Sequence, residues 1–229
     1  MRTKIVEVLK REIRNTEDGS TTIYVPGLGE NYHSIHGAVQ ESNHVFIEAG
    51  LKQVKNIQPV KILEMGFGTG LNCLLTYLNM PDIKIEYYAV EKYPVEQNMV
   101  LQLNYPENLY LNQQQTDFFN WIHTSRWDQG VVNEQANFKL IKDKSDFLEI
   151  EPAQIFNLVY FDAFAPEVQP KLWTSEVFKK IFDLMETGGI LTTYCAKGQV
   201  RRNMIEAGFE VERLPGPPGK RQMIRAVKL

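Results

Sequence analysis

The chain of 229 residues carries 43% hydrophobic residues and a formal net charge of −3, enough for one well-buried core, since single cores grow to about 250 residues before splitting. No window approaches the roughly 18 uninterrupted apolar residues of a membrane span, and the charged opening MRTKIVEVLKREIR lacks an apolar signal core, so a soluble cytoplasmic protein is expected. Cys73 and Cys195 are the two cysteines; both sit in apolar stretches away from ligand spacing, which predicts buried free thiols, with neither a disulfide framework nor a metal site.

Residues 8–25 alternate apolar and polar around Asp18-Gly19 and predict an N-terminal β-hairpin. A polar stretch follows, then apolar spacing at Val39, Val45, Phe46 and Ile47, which predicts a loop and a helix. Residues 1–58 thus read as an extension ahead of a main domain, 59–229. There the segments alternate: strand PVKILEMG, helix LNCLLTYLNM, strand IKIEYYAVEK, helix PVEQNMVLQLN, strands NFKLIKD and FNLVYFDAF, helix SEVFKKIFDLM, strand GGILTTYCA, helix QVRRNMIEAGF. Near-continuous apolar strands such as Phe156–Phe161 and Ile190–Thr193 predict a mostly parallel sheet covered on both faces, an α/β fold. EVERLPG and QMIRAVKL are joined through LPGPPGKR without a helix, so they predict an antiparallel hairpin at one sheet edge. Residues Asn104 to Ala136 fit no single strand–helix unit; helical pieces are expected around Asp117–Arg126.

The first strand runs into Gly66, Gly68 and Gly70 and then a helix start. Glycines tolerate positive φ and let a ligand approach the backbone, and a helix start offers unpaired N–H groups. The spacing is not that of a nicotinamide-dinucleotide turn, and Glu64 at the strand end would repel a pyrophosphate there. Glu91 ends the second strand, where doubly wound folds reach ribose hydroxyls; Asp146, with Phe147 beside it, follows the third and can meet an adenine edge. Asp162 ends the fourth. Ligands bind outside the carboxyl ends of parallel strands, so these four carboxylates make an acidic crescent. S-adenosylmethionine, with a sulfonium, an ammonium and a diol but no phosphate, matches it. Each carboxylate taken singly is more often a helix cap or a solvated side chain than a ligand contact.

From Thr192 onward eight basic residues face three acidic ones, a local excess that suits contact with phosphate or simply a solvated surface. His33, His36, His44 and His123 are isolated, with no partner at metal or catalytic spacing.

The blocks MGFGTGLN, VYFDAFAPEVQPKLWTSEVF, GGILTTYCAKGQVRRNMIEAGFEVERLPGPPGKRQMIRA and VQESNHVFIEAGL together resemble the methyltransferase domain of the MnmC-type tRNA wobble-uridine modifying enzymes, in a stand-alone, MnmD-like form without the FAD-dependent oxidase domain. The resemblance implies a class I methyltransferase, Rossmann-like fold with a seven-stranded sheet whose last strand is antiparallel. It implies methyl transfer from S-adenosylmethionine to the amine of 5-aminomethyl-(2-thio)uridine in tRNA. It sets Gly66, Phe67, Gly68 and Gly70 around the methionine moiety, with Glu64 and Asn72 counted among the cofactor contacts, Glu91 at the ribose, Asp146 at the adenine and Asp162 at the reacting centre. Tyr32 and Glu41 match positions that close over cofactor and substrate. His36-Gly37 departs from the family's more acidic or amide-rich loop.

An alkylamine with a pKa near about 10 arrives protonated, so Asp162 is expected to orient it and accept its hydrogen bond. Phe164 and Pro166 either wall a flipped-out uracil or pack on the next helix; Trp173 is expected to pack at a helix entrance. Lys197, Arg201, Arg202, Lys220 and Arg221 are expected to contact anticodon-stem phosphates. Alternatives on the same fold are a small-molecule amine N-methyltransferase, an aminopropyltransferase, or a non-catalytic RNA-binding protein.

Overall fold

A computed structural model describes residues 10–229; the first nine residues, including the start of the expected hairpin, lie outside the described residues. Strands β1 (Glu12–Asn15) and β2 (Thr21–Val25) pair antiparallel as expected, and a two-residue strand, β3 (Glu30–Asn31), extends them to a three-stranded sheet. At the turn, Asp18 accepts hydrogen bonds from the Ser20 N–H at 3.0 Å and the Thr16 hydroxyl at 2.7 Å, while Gly19 takes φ +81.

This small sheet is clamped to the main body. Asn104 Oδ1 accepts from the Thr21 N–H at 2.8 Å, and its Nδ2 donates to the Gly19 carbonyl at 2.9 Å. Arg11 donates to the Pro94 carbonyl at 3.0 Å and to Glu96 at 2.8 Å. The expected helix after residue 38 is split into α1 (Ala38–Ser42) and a π-helical turn, Asn43–Glu48.

The main sheet has eight strands: β4 (Val60–Met65), β5 (Ile85–Val90), β6 (Gly130–Asn133), β7 (Phe138–Asp143), β8 (Phe156–Phe161), β9 (Met185–Thr193), β10 (Glu210–Pro215) and β11 (Gln222–Val227), in the order β10-β11-β9-β8-β4-β5-β7-β6. Five central strands, from β9 across to β7, run parallel. β8 is buried along its whole length, as its unbroken apolar run requires when helices cover both faces. The terminal hairpin inserts β11 antiparallel against β9 and leaves β10 at the edge, so the last strand is antiparallel as expected. The eighth strand, β6, was not expected: it comes from the Asn- and Gln-rich stretch and pairs antiparallel with β7, in a pattern too short and too exposed to show as alternation.

Among the described residues, four longer helices pack on this sheet: α2 (Leu71–Asn79), α3 (Gln113–Thr124), α4 (Ser175–Asp183) and α5 (Gly198–Glu206). α3 opens on a capping box in which Asn112 and Gln115 exchange side-chain-to-backbone hydrogen bonds, which fixes its start ahead of the expected Asp117. Only one turn, Gln97–Val100, forms where PVEQNMVLQLN predicted a helix. Trp173 is buried between Phe161 and Phe178, and its Nε1 donates to the Phe164 carbonyl at 2.8 Å. Both cysteines are buried and free. No helix among the described residues is long and apolar enough to cross a membrane.

Candidate active site

β4 lies at the centre of the parallel strands, and the chain turns to β5 and β7 on one side and to β8 and β9 on the other. Where strand order reverses, the loops after β4 and β8 part and leave a crevice at the carboxyl ends. Here a cavity of about 810 Å³ opens, lined by residues just after β4, β5, β7, β8 and β9 and roofed by the small N-terminal sheet.

The floor is the glycine turn. Gly66, Gly68 and Gly70 take φ +91, +50 and +71, and two of them are also held by contact. A Cβ on Gly66 would stand 2.7 Å from the Asp162 carbonyl oxygen, and one on Gly68 would stand 2.9 Å from the Tyr32 ring. Gly66 and Gly68 line the cavity, with Phe67 between them; Gly70 does not. Gly70 faces His123, whose ring would lie 3.1 Å from an added Cβ, so its part is to let α3 close on the turn.

Behind this floor is a three-residue polar clamp. Asn72, in the first turn of α2, donates through Nδ2 to Glu64 Oε1 at 3.0 Å and to Asp162 Oδ2 at 2.9 Å. Glu64 is 1% exposed and is absent from the cavity wall, so it lies beneath the floor of the site. Burial drives its carboxyl well above the usual range, and Asp162 nearby pushes it the same way. Glu64 Oε2 and Asn72 Oδ1 are buried without a hydrogen-bond partner. Asp162 faces the cavity. Its carboxyl is raised to about 7 by burial and by repulsion from Glu41, offset by the Asn72 hydrogen bond and by Lys220.

Glu91 accepts from the Gly68 N–H at 3.2 Å and the Tyr93 N–H at 2.8 Å. It therefore fixes the glycine turn and keeps lone pairs for hydroxyl donors in the cavity. Asp146 caps a 3₁₀ turn by accepting from the Leu148 N–H at 3.0 Å, and Lys92 donates to it at 2.7 Å. Burial opposes ionisation of Asp146, but these bonds prevail and hold its carboxyl below the usual range. Phe147 beside it is buried and on the cavity wall.

The roof brings Tyr32 over Gly68, edge-on to Phe164 with centroids 5.2 Å apart. Its hydroxyl accepts from Arg11 Nε at 3.1 Å, and burial followed by the Glu91 charge lifts its pKa to about 12. Glu41 is buried, accepts from the Ser34 N–H at 2.7 Å and pairs with Lys220.

The expected basic surface is therefore divided. Lys220 lines the cavity and pairs with Glu41, while the neighbouring Gly219 packs closely against His36. Lys197 pairs with Glu167, Arg201 is half-buried, and Arg202 and Arg221 are exposed. Phe164 lines the cavity and Pro166 does not. Arg11, Ser34, Lys92 and Tyr194 also line it. Of these Lys92, next to Glu91, and Tyr194, directly after β9, carried a positional signal at strand ends; Arg11 and Ser34 come from segments with no ligand pattern.

The acceptors suit a ligand with a diol and positive charge. Asp162, held by Asn72 at the start of α2, already takes the place where a helix welcomes negative charge, so a phosphate there would meet its carboxylate. The glycine floor leaves room where a Cβ would collide with Tyr32, and Glu91 and Asp162 both face the space above it.

The family described as S-adenosyl-L-methionine-dependent methyltransferase matches residues 105–229. The chain is 29% identical over 238 residues to the tRNA 5-methylaminomethyl-2-thiouridine biosynthesis bifunctional protein MnmC of Cupriavidus metallidurans, covering 96% of this chain and 34% of that protein. It is 32% identical over 224 residues to the MnmC protein of Azoarcus sp. (strain BH72), covering 91% and 34%. The chain thus spans about a third of the length of these curated relatives. Among solved structures, MNMC2 from Aquifex aeolicus aligns with TM-score 0.76 and 24% identity, covering 95% of this chain and 70% of that one. Spermidine synthase from Thermotoga maritima aligns with TM-score 0.54 and 10% identity, covering 96% and 72%. These two likenesses show the fold.

Proposed function

Because the chain belongs to the S-adenosyl-L-methionine-dependent methyltransferase family that matches its residues 105–229, we propose that it methylates the primary amine of 5-aminomethyl-(2-thio)uridine at the tRNA wobble position, giving 5-methylaminomethyl-(2-thio)uridine. The observation that carries this reading is Asp162, a cavity carboxylate fixed by Asn72 where the strand order reverses. The relatives' involvement in tRNA 5-methylaminomethyl-2-thiouridine biosynthesis supplies the acceptor.

S-adenosylmethionine supplies an electrophilic methyl group when bound. Gly66, Phe67 and Gly68 would cradle its methionine part, Glu91 its ribose hydroxyls, and Asp146 with Phe147 its adenine, with Tyr32 closing above. The acceptor amine must be neutral when it reacts, yet it enters water as an ammonium with a pKa near about 10. Asp162 accepts a hydrogen bond from it and so points its lone pair into the site. With its own carboxyl raised to about 7, Asp162 is a better proton acceptor than an ordinary aspartate. Positioning does the rest, since fixing the nucleophile in line removes much of the bimolecular entropy barrier. Phe164 offers an apolar edge to a base turned out of the anticodon loop.

Incubation with labelled S-adenosylmethionine and tRNA carrying the aminomethyl group, followed by nucleoside analysis, is expected to place label in the wobble nucleoside alone. Label appearing only in free polyamines or other small amines would replace this reading with small-molecule N-methylation. For the outer basic residues, the Arg202→Gln/Arg221→Gln pair is expected to lower the salt slope of tRNA affinity by about 2, since each arginine that neutralises a phosphate adds roughly one to that slope. An unchanged slope removes both from the interface.

A further inference from the structure

The acceptor end of the cavity contains a second carboxylate that the proposed chemistry does not use. Glu41 lines the same cavity as Asp162, its charge opposes Asp162 ionisation, and it is ion-paired with Lys220 in a contact where the two side chains are 9% and 31% exposed. Lys220 Nζ stands 4.9 Å from the Tyr194 ring centroid, and the Tyr194 hydroxyl donates at 2.9 Å to Ala163, the residue after Asp162. The ammonium is thus held on three sides, by Glu41, by Tyr194 and by the hairpin tip that Gly219 packs against His36.

Two unpaired carboxylates facing each other across the cavity would grip an incoming alkylammonium between them and stabilise its charged form, which has no lone pair for attack. A resident ammonium on one of them removes that trap. We propose that Lys220 is a positioning residue for methyl transfer: its ammonium occupies Glu41, so that Asp162 alone meets the acceptor amine. The proposal rests on the amine N-methylation reading above. It also accounts for a lysine turned inward from a basic hairpin.

The groups that face Asp162 are few. Glu64 reaches it through Asn72, Glu41 and Lys220 stand across the cavity, and Tyr194 and Tyr105 lie beside it with hydroxyls held neutral by burial. His33, next to Glu41 and Lys220, is lowered to about 4 by burial and is neutral at working pH. Removing the Lys220 charge therefore leaves Glu41 as the dominant variable neighbour of Asp162.

The test is a pair of variants read in two ways. Lys220→Met is expected to lower kcat about 30-fold and to move the acidic limb of kcat up by about one pH unit, with S-adenosylmethionine affinity within about 3-fold of wild type. Lys220→Arg keeps the limb in place. Adding Glu41→Gln to Lys220→Met removes the competing charge and is expected to recover at least about half of the loss on a logarithmic scale. Independently of turnover, the Asp162 carboxyl, followed by carbon-13 NMR in ligand-free protein, titrates higher in Lys220→Met and returns in the double variant. A double variant no more active than Lys220→Met, with an unmoved Asp162 titration, overturns the proposal. So does a loss confined to tRNA KM with a shallower salt slope, which would make Lys220 a phosphate contact. If wild type methylates no tRNA, the acceptor assignment fails while the titration still decides whether Lys220 governs Asp162 through Glu41.

Discussion

Asp162→Asn is expected to slow methyl transfer by about 10³-fold and, at the same time, to raise the unfolding midpoint at pH 8. The asparagine keeps the volume and can still accept the Asn72 amide hydrogen bond, but it cannot take a proton and carries no charge. The stability effect follows from the direction of the Asp162 shift. Burial first, then Glu41, raises its carboxyl to about 7 from an ordinary value of 3.8, so the folded chain holds a proton that the unfolded chain has lost. Stability contributed by this group is therefore greatest below about pH 4 and falls as pH rises to about 7. Asparagine escapes that fall, so its advantage is present at pH 8 and absent near pH 4. Wild-type turnover should rise through an acidic limb that the variant lacks, at a pH below 7 to the extent that bound positive charge favours the carboxylate. Calorimetry at the two pH values, with single-turnover rates across them, checks both halves. Near-wild-type turnover in Asp162→Asn would remove it from the chemistry, and a midpoint lowered at pH 8 would contradict its assigned environment.

Gly66→Ala should be the most damaging single-methyl change in the floor of the cavity. Its φ of +91 is strained for any L side chain, and the added Cβ would lie 2.7 Å from the Asp162 carbonyl oxygen. That oxygen cannot retreat easily. The Asp162 N–H donates to the Met65 carbonyl at 3.1 Å and the Gly66 N–H to the Val90 carbonyl at 2.9 Å, so three strand exits would have to shift together. A cost of about 3 kcal/mol is expected, from left-handed backbone strain plus steric overlap. S-adenosylmethionine affinity should fall by about 100-fold or more, because the displaced loop carries Asp162. Gly29→Ala is the control. Gly29 also has positive φ, at +70, but nothing lies within 4 Å of its added Cβ, so only the backbone cost of about 1 kcal/mol remains. Equal losses in the two variants would show that conformation alone, and not contact with the Asp162 loop, sets the requirement at Gly66.

What the chain disclosed in advance follows from which forces are local. Parallel strands buried on both faces announce themselves as apolar runs, so β4, β5, β7, β8 and β9 were legible, as was the helix-free link that makes β10 and β11 a hairpin. The carboxylates at strand ends were legible by position. Their division of labour was not: Glu64 and Asp162 look equivalent along the chain, and only the folded arrangement shows that Glu64 is buried beneath the site while Asp162 faces the cavity. Gly70 looks like its two partners until α3 is seen to pack on it. Lys220 read as an outward cation because a charged residue in a Gly- and Pro-rich turn is usually solvated, and its inward course shows only in the folded pairing with Glu41.

The clamp between the small sheet and the body has a consequence for how the protein comes apart. Thr21 and Asn104 are 83 positions apart, and Arg11 and Glu96 are 85 apart, so each bond closes a long loop whose entropy is recovered only when structure exists at both ends. Tyr32 and Glu41 on one side, and Asp162 and Lys220 on the other, are thereby bound into one unfolding event. A ligand captured between them steadies the entire chain, by about 2.7 kcal/mol at a hundred times its Kd. Occupancy by the methyl donor would then set the stability of the fold as well as the readiness of the enzyme.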